Sequence, residues 1–216
     1  MVPACYGWLA LDARGAWRLR GETIIHPGLI AFLDAHYTDD EHGNWLVNNG
    51  PQRIYVELAA APLILRLHPD GRLVAHCGHE ASAIGPVLVD GDGCAFLATD
   101  RGPAMVDDRD LTLFAAELRR LDGAPASDAD LLALIDGQAA PALRWRGLEA
   151  VFCTRADRRG HLFDPCARVD VDPMAFCCAK FACRMGVAGE GKSALPPAGH
   201  RIAGQRVGLA RTKRGA

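Results

Sequence analysis

The chain of 216 residues has no apolar run near the roughly 20 residues that a membrane-spanning helix requires. Its N-terminus also lacks the basic stretch followed by an apolar segment that is typical of an export signal. We therefore expect a cytoplasmic protein whose eight cysteines are reduced thiols. Half of the residues are apolar, which is enough for a globular fold with a sizeable core.

Signals for common catalytic sites are also lacking. Only three serines occur, and none stands in a Gly-x-Ser-x-Gly motif. There is no Cys-x-x-Cys pair, and no Gly-x-Gly-x-x-Gly between a strand and a helix. With no recognisable catalytic constellation, the sequence favours a protein that is not an enzyme.

Charge is distributed unevenly along the chain. Residues 1–149 hold 21 acidic and 12 basic side chains, a net of −9, whereas residues 150–216 hold 5 and 12, a net of +7. The second part contains all three lysines and ends in a glycine-, alanine- and arginine-rich stretch that we predict to be poorly ordered. Nucleic-acid binding is not expected, because the folded part is acidic and the basic tail lacks interleaved aromatic residues.

Short apolar runs separated by turn residues dominate the first 147 residues. Predicted turns at 12–15, 48–53, 68–71 and 90–93 each join two such runs, which is typical of β-hairpins. Helical spacing of apolar residues predicts three helices, at 28–37, after Asp108 and after Ser127. We therefore predict an α+β fold of mainly antiparallel β-hairpins with three helices.

This part of the chain is predicted to form two small modules. The first, residues 1–80, is an α+β module, and the second, residues 81–147, is β-rich with C-terminal helices. A weak internal repetition relates Leu46–Val56 to Leu97–Val106, which indicates that the two modules repeat one fold. Residues 148–216 form the basic, cysteine-containing tail, whose cysteine spacings fit no common zinc pattern.

The stretch Asn44–Val56 places two strand-like runs around a polar break. The asparagine, glycine and proline residues of the break favour a tight turn, and turn chemistry alone accounts for most of them. In the functional interpretation, the side-chain amides and the Arg53 guanidinium bind a ligand. The guanidinium can bind a carboxylate or phosphate through two hydrogen bonds. The candidate ligand-binding residues are Asn48, Asn49, Gln52, Arg53 and Tyr55.

His76, Cys77 and His79 are the candidate metal ligands. Zinc needs three or four ligands that converge tetrahedrally, whereas neighbours in a strand point to opposite faces, so a turn at Gly78 would have to bring them together. A polar loop after a hairpin explains the same residues more simply. We therefore expect no cofactor, with zinc as the alternative.

Several short motifs, in a fixed order, resemble small proteobacterial families of unknown function. They are Gly15-x-Trp17, Glu22-x-Ile24, Pro27-x-Leu29-Ile-x-Phe32, Trp45-Leu-Val47, Gly50-Pro-Gln-Arg53-Ile-Tyr-Val56 and Pro62-Leu-Ile-Leu65. The chain is also similar to a related family described as a repeated α+β fold with a suggested signalling role. The resemblance covers about residues 6–146 and implies no catalytic residue.

Together these observations favour a bacterial, cytoplasmic module that senses a ligand or binds a protein, with a role in signalling. The alternative is a small metal-dependent hydrolase that uses His76, His79 and nearby acids. A third class is a structural protein that is stable only as a homo-oligomer. The expected partner is a small molecule or a protein, and neither a membrane nor a nucleic acid is expected.

Overall fold

The structure, a computed structural model, describes residues 4–138 and 142–154. The predictions for the cysteines and the basic tail beyond residue 154 lie outside these residues. Among the described residues, 45% form strands and 19% form helices. The predicted α+β class is therefore wrong, because the protein is mostly β and consists of two mixed sheets.

Six strands form the first sheet: β1 (Ala4–Leu11), β2 (Trp17–Leu19), β3 (Glu22–Thr23), β4 (Tyr37–Asp39), β5 (Trp45–Asn49) and β6 (Gln52–Leu58). They lie in the spatial order β3-β2-β1-β6-β5-β4. Helix α1 (Pro27–His36) connects β3 to β4, and Pro27 occupies its first turn, where the missing N–H is not needed.

Nine strands form the second sheet: β7 (Leu63–Leu67), β8 (Leu73–Ala75), β9 (Glu80–Ala81), β10 (Ala83–Val89), β11 (Ala95–Thr99), β12 (Gly102–Val106), β13 (Leu118–Arg120), β14 (Leu143–Trp145) and β15 (Leu148–Phe152). Their order is β13-β14-β15-β10-β11-β12-β7-β8-β9. A short 3-10 helix (Asp108–Asp110), α2 (Leu111–Glu117) and α3 (Asp128–Ile135) lie between β12 and β14 in the chain.

The second sheet is strongly curled. Arg146, in the turn between β14 and β15, donates a hydrogen bond of 2.5 Å to the carbonyl of Gly71, in the turn between β7 and β8. Three strands separate β15 from β7, so a flat sheet would hold them about 20 Å apart. The contact therefore requires the two ends of the sheet to bend toward each other.

The predicted hairpins are confirmed, but they are only part of the pairing. β1–β2, β5–β6, β7–β8 and β10–β11 are antiparallel neighbours. Three further pairs are parallel, namely β1–β6, β7–β12 and β10–β15. Parallel neighbours are joined by long connections, so local turn signals do not reveal them, and this is why the prediction did not include the mixed pairing of the two sheets.

The two sheets share one strand order. The order β3-β2-β1-β6-β5-β4 in the first sheet corresponds to β9-β8-β7-β12-β11-β10 in the second, which then continues through β15, β14 and β13. In each set the sixth strand pairs in parallel with the first. Strands from both sides of residue 80 share the second sheet, and the division into modules at that residue stays a prediction.

Two hydrophobic clusters stabilise the fold. One lies between the sheets and contains Leu33, Ile54, Ile64 and Phe96, and the other lies on the far face of the second sheet, beneath α2 and α3. The central strands of the second sheet are therefore buried on both faces. This explains the continuous apolar run at the start of β7, which lacks the alternation of a half-exposed strand.

The helices follow their sequence signals with one exception. Ser127 caps α3, and its side chain and that of Asp130 form the reciprocal hydrogen bonds of a capping box. Helical spacing predicted that Leu118 continues α2, but the helix ends at Glu117 because Leu118 pairs with Trp145 of β14. None of the described helices is long and apolar enough to cross a membrane.

Candidate functional site

The predicted ligand-binding residues lie on the β5–β6 hairpin, but on two different faces of the sheet. Ile54 is in the core, so alternation along β6 places Gln52 on the inner face and Arg53 and Tyr55 on the outer face. Asn49 pairs with Gln52 and Asn48 pairs with Arg53 in the strand register. The Gln52 side-chain amide donates to the Cys5 sulfur at 2.8 Å. The structure therefore brings together only the outer residues as one surface.

A pair of stacked tyrosines occupies the outer face. The rings of Tyr6 and Tyr55 lie 4.5 Å apart and are nearly parallel, with an angle of 8°. The Tyr55 hydroxyl donates to a carboxylate oxygen of Asp40 at 3.2 Å. Burial, followed by the neighbouring Tyr55, raises the pKa of Tyr6. Arg53 is exposed on the same face, and it makes no ion pair with any residue in the described part of the chain.

Trp8 of β1 contacts Arg20, which directly follows β2. The guanidinium carbon of Arg20 lies 3.4 Å above the ring centre of Trp8, which is cation–π contact. Trp8 packs against the cluster between the sheets, so we call only the surface formed by Tyr6, Arg53 and Tyr55 the outer aromatic face. The corresponding outward face of the second sheet is covered by α2 and α3, whereas Tyr6 and Tyr55 belong to neither hydrophobic cluster.

His76 is packed among aromatic rings rather than presented to solvent. Its ring centre lies 5.7 Å from those of both Trp17 and Tyr37. Its backbone N–H donates to the Ile64 carbonyl at 2.8 Å. The Nε2 atom is buried and has no hydrogen-bond partner among the described residues. Burial lowers the pKa of His76 to about 4, so the ring is neutral at pH 7.

The Gly-x-Trp motif builds the surroundings of this histidine. Gly15 has a φ of +78°, and a Cβ atom added to it would lie 2.5 Å from the Cβ of His76. The Trp17 indole N–H donates to Asp34 at 2.7 Å, and burial raises the pKa of that carboxyl. The motif therefore has a packing role, in which glycine permits the close approach and tryptophan covers the ring.

The other two candidate metal ligands have different environments. Cys77 is a half-buried free thiol whose pKa is raised by burial, and His79 is exposed. Within residues 4–138 and 142–154, no three His, Cys, Asp or Glu side chains are grouped as metal ligands would be. Zinc binding by His76, Cys77 and His79 stays a prediction.

Sequence reasoning missed a set of arginines around a cavity of about 590 Å³. Arg119 and Arg120 on β13 come together with Arg144 and Arg146 at the β14–β15 hairpin. The alternation of Leu143–Arg146 predicted a strand, so it also indicated that Arg144 faces solvent. No local signal indicated that β13 and β14 are neighbours, because 22 residues separate the two strands in the chain.

One phosphate-binding pattern lies outside the described residues. Residues 186–193 have the spacing Gly-x-x-x-x-Gly-Lys-Ser of a Walker loop. That loop requires a helix directly after it, and Pro196 and Pro197 occupy the positions where such a helix would run. The following sequence therefore does not provide the context in which this pattern binds phosphate.

Comparison with known proteins gives structural matches and a family. A DUF1285 family protein from Silicibacter pomeroyi matches with a TM-score of 0.47 and 12% identity, over 71% of this chain and 83% of that protein. A second DUF1285 family protein, from Shewanella baltica, matches with a TM-score of 0.38 and 16% identity, over 49% and 88%. Similarities at this level carry no argument about function.

No curated protein matches the chain. The family match extends over residues 1–150, so the predicted resemblance to families of unknown function is confirmed. The chain belongs to the family DUF2944, described as "Protein of unknown function (DUF2946)".

Proposed function

We propose that this protein is a non-enzymatic protein-interaction module and that its outer aromatic face binds the partner. The observation that carries the proposal is the parallel stack of Tyr6 on Tyr55 beside Arg53, which has no ion-pair partner in the described part of the chain. The face lies on the side of the first sheet that points away from the core between the sheets.

The composition of this face is that of a protein interface. Tyrosine, tryptophan and arginine are the residue types that contribute most of the energy at protein–protein interfaces. The two tyrosines are already held in place, since their rings stack and Asp40 accepts a hydrogen bond from the Tyr55 hydroxyl. A partner would lose little side-chain entropy in ordering them, and this favours affinity.

The shape of the face favours a protein over a small molecule. Small-molecule sites are concave, whereas this surface is one side of a sheet. Two cavities, of about 590 and 420 Å³, are lined by residues of the second sheet and its turns. Arg53 matches a carboxylate on the partner, because its guanidinium can donate two parallel hydrogen bonds to one.

The proposal predicts a partner contact that depends on Arg53. A photo-crosslinking residue in place of Asn48, the strand neighbour of Arg53, should give a discrete covalent adduct in cells. Adding Arg53→Ala should remove the adduct. The same substitution should change the free energy of unfolding by less than about 1 kcal/mol, since the side chain is exposed and without an ion pair. Denaturant unfolding checks this second expectation.

A matched crosslinker in place of Leu132, an exposed residue of α3, is the control. Identical adducts from both positions would show non-specific capture and contradict the proposal. An adduct that survives Arg53→Ala would place the contact elsewhere. A loss of several kcal/mol in Arg53→Ala would assign the residue to a structural network instead.

The alternative, a metal-dependent hydrolase, receives less support from the surroundings of His76. The His76 ring packs against Trp17 and Tyr37, and its Nε2 atom is inaccessible to solvent. It is therefore poorly placed to bind metal or to accept a proton from water. We expect elemental analysis of the purified chain to find less than stoichiometric zinc. One zinc per chain that is lost in His79→Ala would support the hydrolase and contradict this expectation.

A further inference from the structure

A cavity of about 590 Å³ lies at the edge of the second sheet, beside β13 and β14. Four arginines line it, and the single acidic residue in its wall is Glu117. This is unusual in its context, since acidic residues outnumber basic ones by 21 to 12 in residues 1–149. The four arginines are Arg119, Arg120, Arg144 and Arg146, and we call this site the arginine cavity.

Two of these arginines are fixed in the wall by ion pairs. Arg146 donates to both carboxylate oxygens of Glu117, at 2.6 and 3.0 Å, and its guanidinium lies 4.5 Å from the ring of Trp145. Arg120 donates to Asp130 at 2.7 Å, and Asp130 is itself part of the cap of α3. These contacts hold the two arginines in place and neutralise most of their charge.

The other two arginines differ, because no ion pair holds them within the described residues. Arg119 and Arg144 are directly opposite each other in the antiparallel β13–β14 register. Both are exposed, whereas their neighbours Leu118, Leu143 and Trp145 are buried. Neither forms an ion pair with an acidic residue in the described ranges, although Glu149 is the neighbour of Arg144 on β15. The Arg119 guanidinium donates to the carbonyls of Ala116 and Leu118.

Like charges that face each other across two strands destabilise the sheet. An anion between them would convert this repulsion into two favourable contacts. The Cβ atoms of directly opposite residues lie about 5 Å apart, so two guanidinium groups can converge on one small ligand. Each can donate two parallel hydrogen bonds to an oxyanion. The cavity volume lies within the range of about 300–1,000 Å³ that is typical of small-molecule sites.

We propose that the arginine cavity binds a small dianion, with Arg119 and Arg144 as the residues that recognise it. The ligand carries either a phosphate or pyrophosphate group or a pair of carboxylates, since these share the geometry that two guanidinium groups match. A long polyanion such as a nucleic acid is disfavoured, because the net charge of −9 on residues 1–149 repels the rest of it. The site is separate from the outer aromatic face.

Calorimetric titration of the full chain at constant ionic strength tests the proposal. Pyrophosphate and succinate are the two probes, and they distinguish the phosphate source from the carboxylate source. At least one should bind saturably with one site per chain. Arg144→Gln and Arg119→Gln should each weaken that binding by at least about tenfold, because each removes charge-assisted hydrogen bonds. The double variant should abolish it.

Two controls separate this site from general charge and from the Walker pattern. Arg14→Gln removes an exposed arginine of the β1–β2 turn, which pairs with Asp108, with the same change of charge, and should leave the affinity unchanged. Lys192→Gln removes the lysine of residues 186–193 and should also have no effect. Circular dichroism of each variant confirms that it is folded.

Four outcomes would overturn the proposal. The first is the absence of saturable binding of either probe. The second is an equal loss of affinity in Arg14→Gln, which would show a response to net charge alone. The third is a loss in Lys192→Gln, which would assign the site to the Walker pattern. The fourth is binding of a single-stranded oligonucleotide that the probes do not displace.

Discussion

Gly15→Ala should be severely destabilising, with a loss of about 3 kcal/mol or more in the free energy of unfolding. Two effects add at this position. The φ of +78° places the residue in the left-handed region, and the new methyl group would lie 2.5 Å from the Cβ of His76. A Cβ atom is fixed by the backbone, so the His76 side chain cannot relieve the contact by changing rotamer. The β1–β2 turn or the end of β8 must move instead.

Gly21→Ala provides the matched control. Gly21 has a φ of +86°, but nothing lies within 4 Å of the position of an added Cβ. It should therefore show only the backbone cost, about 1–2 kcal/mol. Denaturant unfolding of both variants isolates the packing contribution as the difference between them. Equal losses would contradict the close packing of the turn on His76.

The pH dependence of stability should also depend on His76. Its pKa is lowered to about 4 in the folded protein, from an ordinary value of 6.5. Between these values the unfolded chain binds a proton that the folded chain excludes, so stability falls as the pH falls through this window. The full loss attributable to this residue is about 3 kcal/mol. Above pH 6.5 it contributes no pH dependence.

Other groups around His76 titrate elsewhere or with the opposite sign. Burial raises the pKa of the Cys77 thiol, so it stays neutral in this window. Burial also raises the pKa of Asp34, and a carboxyl with a raised pKa becomes less favourable to folding as the pH rises. Carboxylates with a lowered pKa, such as Asp110 beside Arg66, lose their contribution only at lower pH.

His76→Phe checks this assignment, because phenylalanine retains a ring of similar size without a titratable group. Chemical unfolding at several pH values between 4 and 7 should show a shallower dependence for this variant than for the wild type. His42→Phe, in an exposed loop, is the control and should retain the wild-type slope. An unchanged slope in His76→Phe would show that another group is responsible.

The elements that could be predicted from the sequence are those with local causes. The turn at 68–71 and the Ser127 cap are decided by residues within a few positions, and both lie where predicted. The parallel pairing of β7 with β12 has no such signal, since about 35 residues separate them. Leu118 is a second example: its spacing is helical, but it pairs with Trp145 of β14 and so lies in a strand.

The candidate site was predictable only in part, for the same reason. Alternation along β6 indicates that Arg53 and Tyr55 share a face, and the structure agrees. Nothing local indicated that Tyr6 would stack on Tyr55, because β1 and β6 are parallel neighbours at long sequence separation. The arginine cavity depends likewise on the pairing of β13 with β14.

The parallel β10–β15 pair has a consequence for folding during synthesis. β10 ends at Val89, and its neighbour β15 begins only at Leu148. At about 5–20 residues per second, a ribosome needs several seconds to synthesise the intervening chain. During that time one edge of β10 has unpaired backbone groups, and an exposed strand edge is where two chains can associate wrongly. We therefore expect the risk of wrong association at this edge to end when residues 148–152 leave the ribosome and β15 pairs with β10.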